Sequence, residues 1–472
     1  MAANGSGTAY DLKIEHGTVI TMDAQRRIIK DGAVGIKGDR IAAVAKSEAL
    51  AGQPAARTVD ATGRLVLPGL VSVHCHNVQA LARGLGDDVP LELWTYGRIY
   101  PYETMLSEED AYWSTLLNCA EMIRTGTTCH ADPGGYVMDG VGRALTECGM
   151  RGIFAWAGMD EFPKGYEPPA DFPGRLTTAE TLAANERLVK RWHQTTNDRV
   201  RVSYGLRVEP NVSDELFQGV KAYAERDATL VQFHCLLLGF SDVVKERVGM
   251  STVQWMAGLG VLGPNWLLVH MSDTSDSDVV IVKMHDAKIA HNPGASMHST
   301  YGAASRGKFP ELLERGVTVG LGCDSTAANN SLDMFRAMYQ VATVHKEVRL
   351  QADLIRPEKA LEMATIDGAR ALAWDADVGS LEPGKRADVI IVDTRRTNWV
   401  PMHDFSIVAN LVYAGEGADV ETTIVDGRIL MEDRRLTTID VDKVRGEAQR
   451  IAERITRRLP YQETLRPRWP VS

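Results

Sequence analysis

The chain has no apolar run approaching the roughly 18 to 20 residues of a membrane span, and it has no long run of Lys or Arg. The first absence argues against a membrane-spanning segment. The second, with a net charge of -10 over 472 residues, argues against nucleic acid or an anionic membrane as a partner. Met1 to Tyr10 is small and polar and lacks the apolar centre of a signal peptide, so a cytoplasmic location is expected. Internal repeats and low-complexity tracts are also missing. The six cysteines show no paired metal-binding spacing. Cys75, Cys235 and Cys323 each adjoin a candidate ligand, where strand alternation turns them away from it, and all six read as reduced core residues. What remains, 44% hydrophobic and 24% charged residues, is the composition of a soluble globular chain long enough for one large domain and a smaller one.

The most informative stretch is Leu67-Pro68-Gly69-Leu70-Val71-Ser72-Val73-His74-Cys75-His76-Asn77. An apolar run that closes on two histidines one residue apart reads as a buried parallel strand with a metal site at its C-terminal end. The period of two points His74 and His76 to one face, so two imidazoles can share an ion.

From Asp11 to Val66 the pattern is of short strands and turns, and this texture returns only in Ala387 to Asp393 and Val420 to Val425. Residues 1–66 and 375–435 are therefore expected to form one composite β-sandwich, and 436–472 a C-terminal helical tail. Between them, across 67–374, apolar runs alternate with amphipathic stretches of helical length. After the His74 strand come Thr127 to Ala131, Gly152 to Ala157, Val200 to Leu206, Thr229 to His234, Trp266 to His270, Lys288 to His291 and Val317 to Gly322. Eight parallel strands favour an α/β fold of the (β/α)8 TIM-barrel type over an open sheet. Ser107 with Asp110 forms a capping-box-like helix start, Ser213 precedes an acidic first turn, and Glu161 to Arg175 is a long loop over one barrel end.

In a barrel, the C-terminal ends of different strands converge on one site. The fifth strand ends in His234, the sixth in His270 and the eighth in Asp324, which joins five metal-competent side chains on strand ends. Imidazoles with one carboxylate suit zinc, iron(II), cobalt or manganese.

At this point the sequence resembles the amidohydrolase superfamily, in particular its mononuclear branch of cytosine deaminase, triazine hydrolases and thioadenosine/homocysteine deaminases. The resemblance covers nearly the whole chain. It rests on Pro68-Gly69-Leu70 through His76, Arg83 to Asp88 with Trp94, Gly126-Thr127-Thr128, His291-Asn292-Pro293, Asp324 to Asn330 and Gly379 to Asp388. It implies that His74, His76, His234 and Asp324 bind one divalent metal, zinc before iron, cobalt or manganese, while His270 contacts the water on that metal or the substrate. Asp324 would then move protons between water and leaving group, with His270 orienting. Binuclear members carry a bridging lysine on the fourth strand, and Val200 to Leu206 has none, so one metal is expected.

Two positions depart from the family's deaminases. Leu237 stands where they carry a glutamate three residues after the fifth-strand histidine, and Leu206-Arg207 stands where the thioadenosine/homocysteine deaminases have Pro-His. Leu236, Leu237, Leu238 and Phe240 suggest an apolar wall, to which Trp94, Tyr100, Trp156 and Trp255 could add aromatic surface, the last two being equally well ordinary core. Glu209 and Arg207 are candidates to replace the lost polar groups. The candidate substrate contacts are Trp94, Arg207, Leu237, His291 and Asn292. The leading expectation is a metal-dependent hydrolase of a small apolar amide, urea, carbamate or thiocarbamate. The alternatives are an aminohydrolase or chlorohydrolase acting on a purine, pyrimidine or triazine ring, and a non-catalytic binding protein on the same fold. A small-molecule substrate and a homo-oligomer are expected in either enzymatic case.

Overall fold

The computed structural model describes residues 9–471. Both chain ends contribute to one nine-stranded sheet, whose order runs Arg435–Leu436, Arg428–Glu432, Val420–Val425, Val389–Asp393, Arg64–Pro68, Tyr10–Ile20, Ile28–Lys37, Arg40–Lys46, with Ala55–Asp60 also paired to Tyr10–Ile20. The seam between the two ends is antiparallel and sets Val389 opposite Pro68 and Ile391 opposite Val66. Both strands are apolar at successive positions because both faces are covered. Val66, Val389 and Ile391 pack with Ile14, Val34 and Ile424 inside this unit. Their neighbours Leu65, Leu67, Ile390 and Val392 join the largest core, which extends into the middle of the chain.

Gly69 is the crossing point. Its N–H donates to the Asp388 carbonyl (3.0 Å) while the N–H of Leu70 already donates to Gly126 (2.9 Å). A Cβ on Gly69 would lie 2.1 Å from Thr128 Oγ1, so no other residue lets the chain pass so close to the neighbouring strand.

The middle of the chain is α/β with parallel strands only. One sheet has the order Val200–Val202, Arg151–Phe154, Thr127–Ala131, Leu70–Ser72; the other has the order Val319–Leu321, Lys288–His291, Trp266–His270, Val231–Cys235, Tyr204–Val208, Ala157–Gly158. Every apolar run read from the sequence carries a strand. The runs 151–158 and 200–208 each break once and take part in both sheets, with Ser203 N–H donating to the Phe154 carbonyl (2.8 Å). At the other margin Val73 N–H donates to the Leu321 carbonyl (2.8 Å) and Cys75 N–H to Ala131 (2.8 Å). The first strand proper ends at Ser72, so His74 and His76 follow it, in a stretch that bonds alternately to its two neighbours.

Side chains alternate along these strands. Val71, Val73, Cys129, Ala131, Ile153, Leu267, Val269 and Ala290 form one inner cluster, closed at one end by Leu372 and Trp374. Phe154, Val202, Phe233 and Leu268 face the helices. The capping box at Ser107 starts helix Glu108–Arg124, and Ser213 Oγ accepts from Leu216 N–H (3.0 Å) at the start of Asp214–Arg226. Helix Val441–Thr456 turns Val444, Ala448, Ile451 and Ile455 inward and ties Arg454 to Asp110. The six cysteines are all buried and free. Trp255 sits between helices against Phe217 and donates to Asp214, and Trp156 packs on Tyr136, so both belong to the core. Among the described residues no helix is long and apolar enough to cross a membrane.

Candidate metal centre and its cavity

The three strand ends that carry His234, His270 and Asp324 leave the sheet through left-handed backbone. Leu236 has φ 51, His270 φ 78, Met271 φ 48 and Asp324 φ 61. Each such non-glycine residue costs on the order of 1–3 kcal/mol and persists only where its surroundings hold it. Here Met271 N–H donates to the Cys235 carbonyl (2.9 Å), Asp324 N–H to the His74 carbonyl (3.0 Å), and Ser325 N–H to Asp324 Oδ1 (2.6 Å). The kinks turn side chains from separate strands onto one point.

At that point the rings of His74 and His76 lie 4.9 Å apart, His74 and His234 5.2 Å, and His74 and His270 5.3 Å. His234 Nε2 faces His76 Nε2 at 3.3 Å. Asp324 Oδ1 lies 3.5 Å from His74 Nε2 and 3.8 Å from His76 Nε2, and its Oδ2 lies 3.9 Å from His270 Nε2. One donor atom each from His74, His76 and His234, and from His74, His270 and Asp324, fall within 4.8 Å of one another.

The electrostatics fit a cation. Burial, then the neighbouring histidines, holds His76 and His234 well below the usual imidazole range, and burial takes His270 down to about 3. These three rings are thus neutral, with lone pairs to give. Burial pushes Asp324 up, but the His74 ring 3.5 Å away and the other surrounding imidazoles outweigh it and hold the carboxyl well below the usual carboxylate range. His234 Nδ1 lies 3.2 Å from the Arg207 carbonyl, which assigns its proton there and leaves Nε2 free for the centre. Both ring nitrogens of His74 and Nδ1 of His76 have no protein partner. Buried nitrogens facing one another without donors between them are costly unless a cation sits among them. The donor set therefore fits one divalent transition metal.

Beside the centre is a cavity of about 30 Å³, lined by His76, Gln79, Leu91, Trp94, Thr95, Tyr100, Arg207, Val208, His234, Leu237, His270, Tyr301 and Asp324. Of the candidate substrate contacts, Trp94, Arg207 and Leu237 are on this wall. Asn292 is one layer back, its Nδ2 3.4 Å from His270 Nδ1, where it can set that ring's orientation. His291 must be corrected: its ring stacks on Phe309 (3.6 Å between centroids) and its Nε2 meets His345 Nε2 at 3.0 Å. Ala290 takes the inward position of that strand, so alternation sends His291 outward to the helices.

Arg207 is buried against Glu103, with Nη2 donating to Oε2 at 2.5 Å, and its guanidinium lies 5.0 Å above the Tyr100 ring. Burial works against its charge and Glu103 restores it. Gln79 Nε2 donates to the other Glu103 oxygen (2.8 Å), which leaves Gln79 Oε1 and Tyr100 Oη as buried polar atoms without partners at the cavity. Glu103 and Gln79 were not found from the sequence. Gln79 lies only three residues past His76, but nothing local marks it, and Glu103 is recognisable only through Arg207. Glu209 does not stand in for the acid absent at 237. It lies outside the cavity wall, accepts from Leu236 N–H, and is pushed up to about 8 by burial. Asp324 is the one carboxylate on the wall among the described residues.

The amidohydrolase family model matches residues 65–430. A 5'-deoxyadenosine deaminase of Methanosarcina mazei is 35% identical over 450 residues, covering 95% of this chain and 99% of its own. A 5-methylthioadenosine/S-adenosylhomocysteine deaminase of Syntrophobacter fumaroxidans is 36% identical over 455 residues, covering 96% and 99%. Among solved structures, an adenosine deaminase from Xanthomonas campestris with bound zinc superposes with a TM-score of 0.85 at 25% identity, over 94% of this chain and 98% of that one.

Proposed function

The chain belongs to the amidohydrolase family and is a hydrolase of C–N bonds other than peptide bonds, and from that premise we propose that it is a zinc-dependent aminohydrolase releasing ammonia from the purine ring of an adenosine-type nucleoside. One observation carries this reading: a complete histidine and aspartate centre lies in a chain that aligns from end to end with nucleoside deaminases. It displaces the amide, urea or carbamate substrate that the apolar wall suggested from the sequence. That second reading keeps one specific support, Leu237 on the cavity wall.

His74, His76, His234 and Asp324 would hold the metal, with His270 beside it. When bound, the ion activates water and polarises the ring carbon under attack. Asp324 is the proton carrier: its Oδ2, turned to His270, takes the proton of the attacking water and returns it to the leaving nitrogen. His270, held by Asn292, orients the attacking oxygen. Arg207, Gln79 and Tyr100 offer donors and an acceptor to the polar edge of a heterocycle, and Trp94 and Leu237 cover its apolar faces. The reading extends to the architecture. The two parallel sheets form one closed (β/α)8 barrel, supported by the Val73–Leu321 and Ser203–Phe154 hydrogen bonds at their two junctions. The chain ends form a β-sandwich domain, supported by the apolar cluster within their shared sheet.

The test is a substrate panel on zinc-loaded protein. Ammonia release from 5'-deoxyadenosine, methylthioadenosine or adenosine, faster than hydrolysis of aryl ureas, carbamates and anilides, is the expected result. Hydrolysis across the amide and urea set with no ammonia from any purine would overturn the proposal.

A further inference from the structure

A cavity of about 30 Å³ is too small for a nucleoside, since small-molecule sites usually offer roughly 300 Å³ or more. Some wall must move before substrate reaches the centre. Trp94 is tied down by its Nε1–H to the Ala327 carbonyl (3.1 Å), and Leu237 packs in a buried cluster with Phe240. Tyr301 belongs to the same buried cluster, but the segment that carries it has no helix or strand. Tyr301 lies on the irregular segment 299–307 between helices Pro293–His298 and Phe309–Glu314, its ring edge-on to His270 at 5.2 Å. Thr300 before it has φ 56 and Gly302 after it φ 85. A β-branched residue in left-handed backbone stores strain that a movement of the segment would release.

Tyr301 N–H donates to the Ser296 carbonyl and Ala303 N–H to Ser296 Oγ, both at 3.0 Å, and the outer end of the segment is held by Arg306, whose Nε and Nη2 donate to Asp273 Oδ1 at 2.9 and 2.6 Å. Asp273 is itself anchored, since its Oδ2 accepts from Ser241 Oγ and Lys245 Nζ, both at 2.8 Å. The side-chain exposures are 7% for Asp273 and 54% for Arg306, so the pair has one fixed half and one half free to leave. We propose that residues 299–307 are the substrate gate of this site, with Tyr301 as the inner face that sets the size of the admitted substituent and the Arg306–Asp273 pair as the latch. The gate rests on the cavity being the active site, as read above.

The experiment measures how fast dipicolinate strips zinc from the zinc-loaded full chain, alongside kcat/KM for adenosine and for adenosines with bulky 5'-substituents. Arg306→Ala is expected to speed zinc loss about two- to fivefold, the range of a half-exposed ion pair, and Arg306→Lys to restore the slow rate. Arg349→Ala, which removes the Arg349–Glu311 pair (3.0 Å) on the helix that follows, is expected to leave the rate unchanged. Tyr301→Ala should also speed zinc loss and should shift kcat/KM towards bulky 5'-substituents by about tenfold. Zinc loss unaffected by Arg306→Ala, or accelerated equally by Arg349→Ala, overturns the latch, and an unchanged substituent preference in Tyr301→Ala overturns its role as the size limit. Faster zinc loss in the latch variant without hydrolysis of any nucleoside would leave the gate standing and sink the nucleoside reading instead.

Discussion

Asp324 meets three demands at once: it is a ligand candidate, the one carboxylate on the cavity wall among the described residues, and a non-glycine residue in left-handed backbone. With Leu237 supplying no acid, the proposed proton transfer falls to this side chain. Asp324→Asn is therefore expected to lower kcat by about 10²-fold or more even where metal content survives, read by ammonia release together with elemental analysis. Near-normal turnover with metal bound would remove it from the acid–base role. Glu209 gives a prediction of the opposite kind. Its folded pKa is raised to about 8 by burial, so between the ordinary carboxylate value and that point the native state holds the proton more tightly than the unfolded chain. Stability is then lost as pH rises through this window. Glu209→Gln keeps an acceptor for Leu236 N–H and removes the charge. It is expected to raise Tm at pH 8 and leave it nearly unchanged at pH 5, the difference at pH 8 being on the order of a few kcal/mol. A gain equal at both pH values would exclude titration of Glu209 as the cause.

At the scale of the element, the passage from the composite sheet into the first parallel strand turns on Gly69. A methyl group there meets Thr128 Oγ1 at 2.1 Å and Thr128 Cβ at 2.6 Å, and a β-branched side chain on a buried strand cannot rotate out of the way. Gly69→Ala is expected to cost about 1–3 kcal/mol, measured by urea unfolding. A loss below 0.5 kcal/mol, a small change by the standard of exposed sites, would show that the crossing is looser than its contacts imply. The same short strand leads directly to His74 and His76, so this variant should also weaken metal retention.

At the scale of the whole molecule, side chains from the first, fifth, sixth and eighth apolar runs are held together at a buried centre whose partnerless imidazoles oppose folding until a cation joins them. Purified protein is expected to carry about one transition-metal ion per chain, and metal removal to lower Tm, since a ligand at about 1,000 times its Kd adds about 4 kcal/mol to the folded state. His234→Ala should abolish both the ion and the Tm increment. Two tightly held ions per chain would refute the mononuclear reading.

The sequence by itself determined which five metal-competent side chains come together and the parallel α/β middle of the chain, because both rest on local patterns. A strand's period of two decides that His74 and His76 share a side, and apolar runs of strand length separated by amphipathic stretches decide the alternation. The same rule, applied to Lys288–His291, already turns His291 away once Ala290 is known to be inside. Tertiary structure alone decided the rest. Arg207 finds Glu103 across more than a hundred residues, Glu209 turns towards Leu236 and leaves the cavity wall, and Tyr301 comes to rest beside His270. Periodicity sets the direction in which a side chain leaves its own backbone. Which side chains then meet depends on how segments distant in sequence pack, and only the folded chain contains that information.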